Sequence, residues 1–330
     1  MQLQRIFLLI LLCLSGLSQA TSYSYTYLDN PNAGTGISSE TYAYDINNKG
    51  QIVGGFTTGS NEHHGFIYSS GAYTSVDVPN AKFGTSVHGI NDSGQMTGLY
   101  VDDISTRVHS FLYDRNTFVT LDHPDAADIG FTAGTQAYGI NNYGQVVGVY
   151  NDSSGVGHGF LYSDGTYLTL DAPNSIVTWA EGINDSGIVV GFFYDDNGHH
   201  GFSYDGINYT VINNPNALAG SYSGTIISGI NNMGIMTGYI VGIGENSDQN
   251  FIYDGNSFTT IDVPNSNFAQ IFGINDTGHI VGRYESANTR GGFIASPIPS
   301  PVPELSAWLP MLLGLSLMFV LAKNKRMQCM

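Results

Sequence analysis

The sequence predicts an all-β chain folded as a six-bladed β-propeller of four-stranded blades. Three observations carry this. One motif recurs six times at a period of roughly 45 residues. Each copy divides into four short strand-like runs. The last copy lacks its fourth run, and a matching run stands at the N-terminus.

The motif is Gly/Asp-Ile-Asn-Asn/Asp-x-Gly. Its Ile-Asn pairs are Ile46-Asn47, Ile90-Asn91, Ile140-Asn141, Ile183-Asn184, Ile230-Asn231 and Ile274-Asn275, and successive asparagines lie 44, 50, 43, 47 and 44 residues apart. The first run of each copy ends at Ile-Asn. The following residues predict a type I turn and then a glycine in the left-handed position, as a tight hairpin needs. A second run resembles Gln145 to Tyr150, a third Gly159 to Tyr162, and a fourth alternates as in Tyr167 to Asp171 before a proline stops pairing. Glycines 54, 98, 148, 191, 238 and 282 interrupt every second run, which predicts a bulge or a close backbone approach. Copy six stops after Gly292-Phe293-Ile294-Ala295. Its missing strand is Tyr25-Thr-Tyr-Leu-Asp29-Asn-Pro31-Asn32, so an N-terminal strand is expected to complete the last blade and close the ring.

Composition agrees. The 42 glycines, 21 tyrosines and 17 phenylalanines favour turns and strands, and a hydrophobic fraction of 42% suffices for a core. Residues 21–303 hold 26 acidic and 6 basic side chains, a balance of −20. Such a surface repels phosphate backbones and excludes nucleic acid as a partner. Cys13 and Cys329 both lie in the terminal segments, so the repeat region has no disulfide, thiolate metal site or cysteine nucleophile.

The ends read as addresses. Residues 1–20 carry Arg5, an apolar run from Ile6 to Leu14 and Ser18-Gln19-Ala20, the pattern of a cleaved signal peptide. Residues 21–296 are the propeller and 297–304 a stiff Pro-rich linker. Residues 305–322 are just long and apolar enough to span a membrane. The basic tail, 323–330, is expected to stay cytoplasmic. The body is then exported and at least transiently anchored at the cell surface.

This tail resembles the PEP-CTERM sorting signal of Gram-negative bacteria through Val302-Pro303-Glu304, the apolar segment, and Lys323, Lys325 and Arg326. Leu305 stands where that signal usually has a second proline. The resemblance implies processing by an exosortase-type enzyme and a role near exopolysaccharide or biofilm matrix. The repeats resemble the HAF family of extracellular repeats. The triplets are His64-Gly-Phe66, His109-Ser-Phe111, His158-Gly-Phe160 and His200-Gly-Phe202; Gln249-Asn-Phe251 and Gly291-Gly-Phe293 depart from the pattern. That family brings no established chemistry.

Strand order places the short first-to-second and third-to-fourth turns on one face. The long, varied connections fall on the other, where recognition is expected. Phe131, Trp179, Tyr194 and Tyr222 are candidate aromatic platforms for a polysaccharide. Asp102, Asp103, Asp152, Asp195 and Asp196 offer the hard oxygens that Ca²⁺ takes, although no segment matches the twelve-residue calcium loop. The competing reading is a solvated acidic face with Asx turns. Four histidines at one repeat position suggest either a metal-holding ring or a structural role. Asp29, Asp77, Asp122, Asp171 and Asp262, each two residues before a proline, recur too regularly for an acid–base pair and read as turn-closing residues. No nucleophile elbow, zinc-protease motif or phosphate loop is present. The favoured function is a non-enzymatic propeller that binds exopolysaccharide or matrix components. A carbohydrate-active enzyme, lyase or glycoside hydrolase, using loop carboxylates and a purely structural surface protein remain as alternatives.

Overall fold

A computed structural model describes residues 22–34, 40–101, 107–127, 134–218, 220, 222–242, 249–287 and 289–299. The signal sequence, the Val302-Pro303-Glu304 motif, the apolar segment and the basic tail lie outside the described residues. Among the described residues, no helix is long and apolar enough to cross a membrane.

Residues Tyr23–Ser296 form one compact unit built from six four-stranded blades. Blade three shows the pattern: Thr135–Ile140, Val146–Asn151, Gly157–Ser163 and Thr166–Leu170 pair antiparallel in chain order. Blade six is made of Phe268–Ile274, Ile280–Glu285 and Arg290–Pro297, and Tyr23–Leu28 supplies its outer strand, as the sequence predicts. One parallel bridge, His199 to Gly224, links blades four and five.

The repeated residues explain the blade. The glycines of the hairpin turns (50, 94, 144, 187, 234 and 278) have φ between 74° and 85°, a region that costs other residues about 1–2 kcal/mol. The glycines inside the second strands do different work. A Cβ at Gly148 would lie 2.0 Å from the Gln136 carbonyl oxygen and 2.8 Å from the Phe160 ring. The close backbone approach expected there is therefore present, and the accompanying bulge lies in the neighbouring first strand. Gly54, Gly98, Gly148, Gly238 and Gly282 leave room for the triplet phenylalanine, and Gly191 for the backbone of Trp179 and Ala180. Phe66, Phe111, Phe160, Phe202, Phe251 and Phe293 are among the largest fully buried side chains. Removing any of them would cost about 3–5 kcal/mol.

Blades are tied to one another by polar groups. A threonine at the start of the next blade (Thr41, Thr85, Thr135, Thr178, Thr225) accepts a hydrogen bond, 2.8–3.1 Å long, from the backbone N–H one residue past Asp29, Asp77, Asp122, Asp171 and Asn213 respectively. The motif asparagines do more. Each buried Oδ1 accepts two N–H groups of its own turn, as Asn141 does from Tyr143 and Gln145. Each Nδ2 donates to the backbone oxygen of the next motif asparagine at 3.0–3.2 Å, and Asn275 donates to Asn47 and closes the circle.

Candidate functional site: the loop face and the central channel

On the turn-bearing face a second circle surrounds the axis. Asn48, Asp92, Asn142, Asp185, Asn232 and Asp276 alternate around it. Each backbone N–H donates to the side-chain oxygen of the next residue in the circle at 2.8–2.9 Å. Each Asn Nδ2 also donates to the Oδ2 of both neighbouring aspartates at 2.8–3.2 Å. Six atoms joined by six such edges make a hexagon, whose centre lies about 3 Å from each vertex, so the collar admits nothing wider than about one water.

Behind the collar is a cavity of about 90 Å³, room for several waters, lined by Tyr44, Asp45, His88, Glu181 and Ser228 among others. These residues come from the first strands. Two residues before each motif isoleucine stand Tyr44, His88, Tyr138, Glu181, Ser228 and Phe272, five residue types at one repeat position. The Tyr44 ring stacks on His88 at 4.2 Å and is tilted against Phe272 at 5.4 Å. His88 meets Tyr138 edge-on, and Tyr138 stacks on Trp179 at 6.0 Å.

Enclosure decides the charge here. Burial raises the Glu181 carboxyl to about 8 and lowers His88 to about 3. Neither makes a side-chain hydrogen bond among the described residues. Burial also raises Asp45 to about 7, against the lowering pull of the Ile90 and Ile46 N–H groups that donate to it. At neutral pH the inner channel therefore holds a protonated glutamic acid and a neutral imidazole. The sequence carried a signal for this layer: one strand position with no consensus inside an otherwise regular repeat. Glu181 lies in the channel wall.

The predicted loop residues separate. Trp179 sits within the first strand of blade four, Val177–Ile183, and packs between the rings of Tyr138 and Phe192. Tyr194 packs against His199, and Tyr222 is 72% exposed. Phe131, Asp102 and Asp103 lie outside the described residues. The carboxylates of Asp152 and Asp195 close Asx turns, accepting from the N–H groups of Ser154 and Val156 and of Asn197 respectively. They also face histidine, with Asp152 3.6 Å from His158 and Asp195 3.0 Å from His200. Asp196 is exposed. Among the described residues no group of three or more metal-ligating side chains converges.

The repeated histidines and the repeated aspartates, read separately from sequence, form pairs. His64 bonds Asp77 at 3.1 Å, His109 bonds Asp122 at 2.7 Å and His158 bonds Asp171 at 3.0 Å, while His200 meets Asn213 at 3.0 Å. Each imidazole also stacks on a second-strand aromatic ring: Phe56, Tyr100, Tyr150 or Phe193. These aspartates thus fasten the fourth strand to the third, and the turn after them is held by the threonine described above. The histidines form no ring.

One cleft on the loop side breaks the six-fold pattern. The second-strand position after the buried glycine carries Gly55, Leu99, Val149, Phe192 and Tyr239 in blades one to five, and Arg283 in blade six. The Arg283 guanidinium lies 4.8 Å from the Phe268 ring and 5.4 Å from the Tyr42 ring of blade one. Its Nε–H donates to Gln270 at 2.9 Å, and one terminal N–H reaches the Tyr42 hydroxyl at 3.5 Å. Beside it, Arg290 joins Glu40 and Glu285, and Tyr284 completes the cleft.

No protein-family model and no curated relative matches the chain. Solved structures do. The chain is similar to the fucose-specific lectin from Aleuria aurantia, with a TM-score of 0.51, 15% identity, and coverage of 83% of this chain and 99% of that one. A variant of the same lectin in complex with Fucα1-6GlcNAc matches at 0.51 with 14% identity and the same coverage. AofleA from Arthrobotrys oligospora matches at 0.50 with 11% identity, covering 84% and 90%. At these identities the likeness is one of fold.

Proposed function

We propose that the protein is an exported, non-enzymatic glycan-binding propeller. The observation that carries this is the cleft between blades six and one. Here the repeat gives up its symmetry on the loop side and brings Arg283, Gln270 and Tyr42 together with Phe268, hydrogen-bonding groups set among aromatic rings, which is the composition sugar sites use. The lectin-like fold supports the reading, as does the exposed Tyr222 on the variable loops. The same proposal takes residues 1–20 as an export signal and the PEP-CTERM-like end as a sorting signal handled by an exosortase-type enzyme. The partner is then a polysaccharide or matrix component outside a Gram-negative cell.

Retention of the host's exopolysaccharide on the immobilised protein tests this. Tyr42→Ala is expected to weaken retention about tenfold, the loss typical of a central contact. Tyr143→Ala, 76% exposed on the turn-bearing face, is expected to leave it unchanged. Equal retention by all three proteins overturns the assignment of the cleft. Glu181 favours a second reading, because an enclosed carboxyl still protonated at neutral pH is suited to general-acid chemistry. Sizing the glycan after incubation separates the two: unchanged length fits a binder, and shortening that disappears in Glu181→Gln fits an enzyme.

A further inference from the structure

We infer that the Arg283 cleft selects an acidic sugar residue, binding its carboxylate through the guanidinium fork. The inference rests on the glycan-binding reading and narrows its ligand.

The argument starts from charge pairing. Four arginines lie among the described residues. Arg107 faces Asp122, Arg115 faces Asp114, and Arg290 joins Glu40 and Glu285. Arg283 has no carboxylate within ion-pair distance among the described residues, in a chain whose body carries a balance of −20. Acidic side chains are abundant here, yet this half-buried guanidinium in the cleft meets none of them, which leaves its fork to a negative partner from outside. Both glutamates nearest in the cleft are already taken by Arg290.

Geometry fixes the chemistry. A guanidinium has five N–H donors in a planar fork that matches a carboxylate. Arg283 uses the Nε–H on Gln270 and one terminal N–H on Tyr42. The remaining terminal donors are unused among the described residues. The Phe268 and Tyr42 rings hold the plane in place, which removes much of the entropy cost of ordering a long side chain. The whole cleft holds only about 10 Å³, one water, so the ligand sits at the rim as a surface sugar would, its carboxylate pointing in. The other five blades lack arginine at this position, so the protein carries one such site. The acidic surface works against a polyanion at long range. Screening limits that repulsion to about 8 Å at physiological ionic strength, which leaves recognition to the local fork.

The test compares polygalacturonate and polymannuronate with the same polymers after their carboxyl groups have been reduced to alcohols. Binding is measured on the full protein by calorimetry or surface capture. At least one native polyuronate is expected to bind tenfold or more tightly than its reduced form. Arg283→Gln is expected to bring the two forms within about twofold. Arg283→Lys, which keeps the charge but not the fork, is expected to lose most of the preference, and circular dichroism melts report whether each variant is folded. Equal binding of native and reduced polymers by the parent protein overturns the inference and leaves glycan binding standing. Binding of none of these polymers overturns it too; the glycan reading then stands or falls on retention of the host polysaccharide. A sulfated glycan preferred over both polyuronates overturns the assignment of a carboxylate.

Discussion

Glu181 puts an acid at a position where the other blades carry Tyr, His, Ser or Phe, in an enclosure that disfavours its charge. Its folded value of about 8 lies above the ordinary 4.5 because burial penalises the anion. The sign follows from proton counting. Between those two values the unfolded chain releases the proton and the folded chain keeps it, so stability falls as pH rises. Glu181→Gln is therefore expected to gain stability over the parent between pH 5 and pH 8 and to hold that gain above it, read as urea midpoints at each pH. A gap that stays constant across this range would show that Glu181 is ionised in the fold. His88 acts in the other direction. Its folded value of about 3 lies below 6.5, so it favours the fold at neutral pH and penalises it as the solution becomes acidic.

The blade depends on two kinds of glycine that look alike in the repeat. At Gly50 the demand is conformational: φ is 74° and nothing lies within 4 Å of an added Cβ. At Gly148 the demand is spatial, with a carbonyl 2.0 Å from where the Cβ would be. Gly50→Ala is expected to cost about 1–2 kcal/mol in urea unfolding. Gly148→Ala must separate the first two strands of its blade and is expected to cost more than 4 kcal/mol or to abolish soluble expression. Equal losses would mean that the second strand yields easily. Much of the element scale was legible, because repetition averages out the ambiguity of any single copy: the turns, the strand-two glycines and the buried phenylalanines all recur. The pairing of His158 with Asp171 was not read, because the two lie 13 residues apart and each was weighed as a separate motif. The channel layer was missed for the opposite reason. Tyr44, His88 and Glu181 share a position but no chemistry, and a search for recurring residues passes over a column that varies. Arg283 was not singled out, because its cleft needs a blade boundary between residues 241 positions apart.

At the scale of the whole ring, the Tyr23–Leu28 strand covers the outer edge of blade six, so the first and last strands of the propeller share one blade. A chain beginning after residue 32 would expose the edge of Arg290–Pro297, and such edges pair with other chains. It is expected to elute as aggregate in size exclusion, and a separate peptide of residues 22–32 is expected to restore the monomer. A truncated chain that stays monomeric and melts at the parent temperature would show that closure lies elsewhere. The collar sets a further condition on the ring, one of parity. Carboxamide and carboxylate alternate through all six blades, so each aspartate sits between two asparagines and never beside another aspartate. Alternation closes on itself only when the count is even. Gaining or losing a single blade would bring two like groups together at the axis, while gaining or losing two would not. The unit that can be copied without penalty is thus a pair of blades, and the molecule is, in its innermost circle, three pairs.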